Sequence, residues 1–183
     1  GHRRMQNAKQ VEEALNPPDF SHSPLTRQDC NENTTNPGGG ACWDFQELER
    51  LKAVCDKHGL SYHLDGARLW NALVARGETA AQYGKLFDTI SVCLSKGLGC
   101  PAGSLLIGDQ GHIDKALRVR KVLGGGMRQA GYLAAAGLYA LNNNIGRLAE
   151  DHQKAKEIGD TLAKMESVKK VEPIETNIII FEL

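Results

Sequence analysis

Three features of the sequence predict an α/β fold. Short apolar runs at 60–64, 88–94 and 102–107 have the length of strands. Helical periodicity lies before, between and after them, and glycines mark most of the junctions. Short, almost wholly apolar strands interleaved with helices indicate a mostly parallel sheet covered on both faces, with flanking helices.

The first helix is expected within 5–15, carrying Val11, Ala14 and Leu15 and stopped by Pro17 and Pro18. Residues 1–5 are set aside as a leader foreign to the fold. The stretch 19–36 has neither helical nor strand periodicity, and Asn36-Pro37-Gly38-Gly39-Gly40 reads as a loop. Asp44 fits an N-cap, Glu47 holds the capping-box position, and Phe45, Leu48, Leu51 and Cys55 follow at helical spacing up to Gly59. A strand at 60–64 leads to Asp65, and a second helix over 67–76 stops at Gly77. After the strand at 88–94 comes Ser95-Lys96-Gly97-Leu98-Gly99, then the third strand. Helices are expected at 113–123, 127–142 and 146–165, the second lined by Ala134, Ala135, Ala136 and Gly137 for close packing. Two β-rich runs, 168–171 and 177–183, finish the sequence. The domains expected are 1–145, part of a large cofactor-binding domain, and 146–183, the beginning of a smaller α+β C-terminal domain.

The 183 residues carry 22 basic and 22 acidic side chains, so electrostatics gives no case for nucleic acid or an anionic membrane as partner. No apolar run approaches the ~18 residues of a membrane span. Five cysteines, irregularly spaced and without a Cys-x-x-Cys pair, suggest neither a zinc site nor a disulfide framework. Free thiols in a reducing, cytoplasmic setting are expected.

Lys96 and Asp65 carry the chemistry. Each follows a strand, where ligands collect in parallel sheets. The glycines beside Lys96 let a ligand approach the backbone, and a desolvated lysine amine suits Schiff-base formation. A carboxylate nearby could hold a pyridinium nitrogen protonated, as pyridoxal phosphate enzymes require. His63 lies within a strand and reads as structural; His58, His112 and His152 are given no role.

Four segments extend this reading. They are Glu32-Asn33-Thr34-Thr35-Asn36; 63–72 (His-Leu-Asp-Gly-Ala-Arg-Leu-Trp-Asn-Ala); 95–104 (Ser-Lys-Gly-Leu-Gly-Cys-Pro-Ala-Gly-Ser); and 120–130 (Arg-Lys-Val-Leu-Gly-Gly-Gly-Met-Arg-Gln-Ala). Their order and spacing resemble the low-specificity L-threonine aldolases, pyridoxal phosphate enzymes of the aspartate-aminotransferase fold type I. The resemblance implies a lyase that cleaves L-threonine or L-allo-threonine to glycine and acetaldehyde in a homo-oligomer. It implies that Lys96 carries the Schiff base and that Asp65 pairs with the pyridine nitrogen. Arg68 would lie by the cofactor and take the substrate carboxylate, while Lys121 and Arg128 would reach the phosphate region. His22 would be the base near the substrate β-hydroxyl. Each residue has an ordinary alternative: Asp65 as a helix cap, Arg68 in a surface ion pair, Lys121 and Arg128 as solvated helix charges.

The sequence departs from the family in three ways. It has no counterpart of the family's N-terminal phosphate-binding segment and ring-stacking histidine, and a second carboxylate-binding arginine would fall beyond Leu183. Gln28-Asp29-Cys30-Asn31 stands where the family has an apolar strand, and Thr35 replaces a histidine. The expectation is therefore part of a longer enzyme. The alternatives are another fold-type-I lyase acting by β-elimination and an inactive fragment kept as a structural module.

Overall fold

A computed structural model describes residue 3 and residues 5–183. Four strands form one mixed sheet in the order β1-β2-β3-β4: β1 (Gln28–Glu32), β2 (Ser61–Gly66), β3 (Thr89–Cys93) and β4 (Ser104–Gly108). The first three run parallel and β4 returns antiparallel to β3. This is the mostly parallel α/β sheet with flanking helices that the sequence predicts.

Helix α1 (Ala8–Glu13) is shorter than the expected 5–15, because Asn7 caps it through a reciprocal bond with Gln10. Helix α2 (Phe45–His58) starts at Asp44, whose carboxylate accepts from Gln46 N, and ends at Gly59, whose φ of 63° favours glycine. Glu47 does not complete the expected capping box. Its Oε1 accepts from Ala8 N at 2.8 Å instead, tying α1 to α2. Helices α3 (Leu69–Arg76), α5 (Gln110–Val122), α6 (Gly131–Asn143) and α7 (Leu148–Leu162) match expected segments within a few residues. Helix α4 (Ala80–Leu86) was not expected, although Thr79 and Gln82 form a capping box. Of the two C-terminal runs only β5 (Lys170–Val171) and β6 (Phe181–Glu182) pair, as a separate antiparallel ribbon.

Three expectations are corrected. The irregular stretch 19–36 contains β1, an edge strand whose side chains are polar but whose backbone pairs with β2 throughout. The strand at 102–107 was expected to be buried on both faces, yet every residue of β4 is exposed, with Leu105, Leu106 and Ile107 each over 40% accessible. The leader is also not wholly foreign. Arg3 donates to Gly38 O at 2.8 Å and pairs with Glu175, while residues 1, 2 and 4 lie outside the described set.

The main core lies between α2, α4 and one face of the sheet. It contains Leu48, Leu51, Cys55, Tyr62, Leu64, Tyr83, Ile90 and Val92, all nearly inaccessible. Burying each large side chain there contributes about 1.5–3 kcal/mol. The opposite face of β2 and β3, with His63, Asp65, Thr89, Ser91 and Cys93, is only half-buried. A smaller core of Leu94, Leu98, Cys100 and Ala140 sits under the lysine loop, and Trp70 packs against both.

Candidate active site

Parallel strands place their carboxyl ends on one edge of a sheet, and that edge gathers three of the six expected site residues, Asp65, Arg68 and Lys96. Register puts Glu32, Asp65 and Ser91 side by side on the half-buried face. Asp65 belongs to β2 itself rather than following it. One of its oxygens, Oδ1, accepts from Ala67 N at 3.0 Å, which turns the chain toward α3 and leaves Oδ2 for a ligand. Gly66 makes this possible, because a Cβ there would stand 2.6 Å from Ser91 O on the neighbouring strand.

Arg68 occupies the N-cap position of α3 without a side-chain cap bond. Its guanidinium is mostly buried and lies 4.0 Å from Glu32 Oε1, a long contact that leaves most of its donors open. Glu32 holds Asn36 N at 3.1 Å through its other oxygen.

Lys96 follows β3 by three residues and is exposed, where the sequence predicts a desolvated amine, because its loop projects beyond the strand with Ser95, Gly97 and Gly99 also exposed. Its Nζ lies 3.5 Å from Cys93 Sγ, at the end of the same strand. The loop carrying it is closed at the neck, where Leu94 N donates to Gly103 O (2.9 Å) and Cys100 N to Leu94 O (3.1 Å). Gly99 turns the chain at a φ of 75°. Among the described residues, the edge thus presents an amine, a carboxylate with one oxygen not hydrogen-bonded and a loosely held guanidinium.

The other three expected residues are not brought to these. Lys121 lies in the last turn of α5 and Arg128 in the turn beyond it, both exposed. His22 is exposed in a turn, its ring 5.4 Å from that of Phe20. Its neighbours in sequence belong to the amino-terminal edge of the sheet. Asn16 Nδ2 donates to Pro24 O, and Pro17, Pro18, Leu25, Thr26 and Leu60 line a groove there of about 360 Å³. His63 is structural as expected, its Nδ1 2.8 Å from Thr89 Oγ1. Glu32 and Cys93 join the edge without having been given a role. Glu32 was legible as a strand-end acid only once β1 is recognised.

The sequence and the fold together place the chain in a class. The chain belongs to the beta-eliminating lyase family, whose model matches residues 4–183. Within that class it is similar to low-specificity L-threonine aldolases. It is 43% identical over 175 residues to low-specificity L-threonine aldolase 1 of Arabidopsis thaliana, covering 94% of this chain and 49% of that protein. It is 44% identical over 145 residues to the low specificity L-threonine aldolase of Escherichia coli K12, covering 79% of this chain and 43% of that protein. The threonine aldolase of Leishmania major shares the fold, with a TM-score of 0.81 at 23% identity over 99% of this chain and 53% of that one. The chain spans about half the length of the curated relatives it matches.

Proposed function

We propose that this chain carries the lysine half of the active site of a pyridoxal phosphate-dependent lyase. The reaction cleaves L-threonine or L-allo-threonine to glycine and acetaldehyde. The observation that carries the reading is Lys96 and Asp65 on one edge of the sheet, with Arg68 a turn beyond Asp65. Identity above 40% to proteins named L-threonine aldolase supports the substrate class.

The donor set fits the cofactor. Asp65 Oδ2 would accept from a protonated pyridine nitrogen and Lys96 would attach the aldehyde carbon; beside Gly99 the Asn144 amide nitrogen lies 3.9 Å from where a Cβ would stand, leaving room on the loop. When bound, pyridoxal phosphate supplies an electron sink for the pair left on Cα as the Cα–Cβ bond breaks. The chain's own residues do the rest. Arg68 offers two parallel N–H donors to the substrate carboxylate and so fixes which bond stands ready to break. Asp65, accepting from the ring nitrogen, would keep the proton there. The β-hydroxyl proton must pass to a base, and His22 is the candidate. Because its loop belongs to the other edge of the sheet, His22 would serve a neighbouring copy. Lys121 and Arg128, exposed on α5 and its following turn, would likewise supply positive charge to a phosphate across an oligomer interface. Buried Cys42, Cys55 and Cys100, all unpaired, support a reducing, cytoplasmic setting.

The test traps the lysine adduct with borohydride and maps it by mass spectrometry, alongside assays for acetaldehyde from threonine and pyruvate from serine. The label is expected on Lys96, with acetaldehyde the product, and Lys96→Ala is expected to lose both. Label elsewhere refutes the assignment. Pyruvate without acetaldehyde favours β-elimination, the chemistry for which the family is described.

A further inference from the structure

The lysine loop rests on two helices, and the contact beneath it uses a polar pair that the chemistry above does not need. Its underside is apolar: Leu98 and Cys100 are buried, and Gly137 of α6 packs against Leu94. Beyond Lys96 the backbone is held by Asn144, whose Nδ2 donates to Leu98 O at 2.7 Å. At Gly97, the residue next to Lys96, the approach is closest. A Cβ there would lie 2.7 Å from Leu148 Cδ2 on α7 and 3.6 Å from Asn71 Oδ1 on α3.

Asn71 is 3% exposed, among the otherwise apolar buried positions Leu69, Ala72 and Leu73 of α3. Its amide nitrogen lies 3.1 Å from His152 Nε2, so α3 and α7 meet through a hydrogen bond beside the loop. A buried amide stabilises little by itself and costs about 1–3 kcal/mol when left unpaired. A leucine at position 71 would pack against α7 without such a risk. What the polar pair adds is direction, because a hydrogen bond fixes the rotation and slide of α7 along α3, whereas apolar contact tolerates both. Leu148, one helical turn before His152, is thereby set against Gly97. The half-buried imidazole has its proton affinity lowered by burial, which suits a neutral ring accepting at Nε2.

We propose that Asn71 and His152 are positioning residues, which hold α7 in the register that seats the backbone at Gly97 and thereby aims Lys96. The importance of that aim rests on the lysine reading under Proposed function; the mechanical link does not. Neither residue touches the reacting atoms. The pair ties α3 to α7, the first element of the smaller domain expected from the sequence, beside the lysine loop.

Hydrogen exchange followed by mass spectrometry on the whole chain tests the link, using peptides that cover 94–103 with α2 peptides as internal reference. His152→Leu is expected to speed exchange at Gly99 and Cys100 about tenfold, the effect of losing one net hydrogen bond's worth of local stability. His152→Gln, which restores an acceptor, is expected to return exchange to the wild-type rate. Trapping of pyridoxal phosphate at Lys96 is expected to fall in the leucine variant and recover in the glutamine variant. If His152→Leu does not fold, Asn71→Leu removes the same bond at similar volume and is expected to give the same acceleration. A folded variant lacking the bond but exchanging like wild type in 94–103 overturns the proposal. Acceleration in the variants as expected, together with a wild-type chain that traps no cofactor at Lys96, supports the positioning link while defeating the lysine reading.

Discussion

Replacing Tyr83 by phenylalanine removes one oxygen that serves two partners. The phenol donates to Glu78 Oε2 at 2.7 Å and accepts from Asn33 Nδ2 at 3.0 Å. The ring would stay in place, its centroid 5.4 Å from that of Phe45 and 6.2 Å from that of Phe87, so little packing is lost. The cost falls on Asn33. That side chain is fully buried and, among the described residues, its Oδ1 already lacks a partner, so the substitution strips the amide of its side-chain hydrogen bond. An unsatisfied buried donor costs about 1–3 kcal/mol. Glu78 is half-buried and can turn to water, adding roughly 0.5 kcal/mol. A loss of about 2–3 kcal/mol translates into a fall in Tm of roughly 4–12 °C for a domain of this size. Urea titration should show a lower midpoint with an unchanged slope. Asn33→Leu removes the other partner, and the double variant should cost less than the sum of the singles. A Tyr83→Phe chain melting within about 1 °C of wild type, or strictly additive costs, would refute the argument.

Three further outcomes are expected. Glu175→Ala frees Arg3, Arg76 and Cys42 N together and should cost about 2–3 kcal/mol in urea, with earlier proteolysis within 173–183; unchanged proteolysis would contradict this. Gly66→Ala places a methyl against Ser91 O and should abolish cooperative melting, so an ordinary melt would show that the strands can separate there. Burial raises the Asp29 carboxyl above its ordinary value, so the folded chain holds that proton more tightly than the unfolded chain. Its stabilising effect is present at low pH and is lost as pH rises through the raised value. Asp29→Asn should therefore be the more stable chain at pH about 7.5, with an advantage that shrinks toward pH about 4, and a constant difference would contradict the assignment.

What sequence revealed and what it hid have physical causes. Helix α2 was legible because its signals are local: an aspartate before it, apolar residues at helical spacing and a glycine whose φ is positive after it. Lys96 and Asp65 were legible because strand ends gather reactive groups. Strand β1 was not, since Asp29 and Asn31 point inward on an edge strand and break the apolar pattern on which strand recognition depends. Helix α4 hid behind its shortness, although Thr79 and Gln82 announced it. The exposure of β4 contradicts its composition, because Leu105, Leu106 and Ile107 read as core. Asn71 and His152 stand 81 residues apart, and only the packing of α3 on α7 brings them together.

The contacts of Glu175 also set an order of events on the ribosome. Its partners Arg3, Cys42 and Arg76 emerge long before it, and Thr176 closes onto Gly40 O across 136 residues. Strands β1 to β3 and helices α2 to α4, by contrast, contact near neighbours and can assemble as soon as they are made. A nascent chain in which β1 to β3 have paired would carry a 36–42 turn whose bonds to residues 175 and 176 form last. Translation pauses before that point should lengthen the interval in which Gly40 and Cys42, the backbone these two residues bond, stand open to chaperones and proteases.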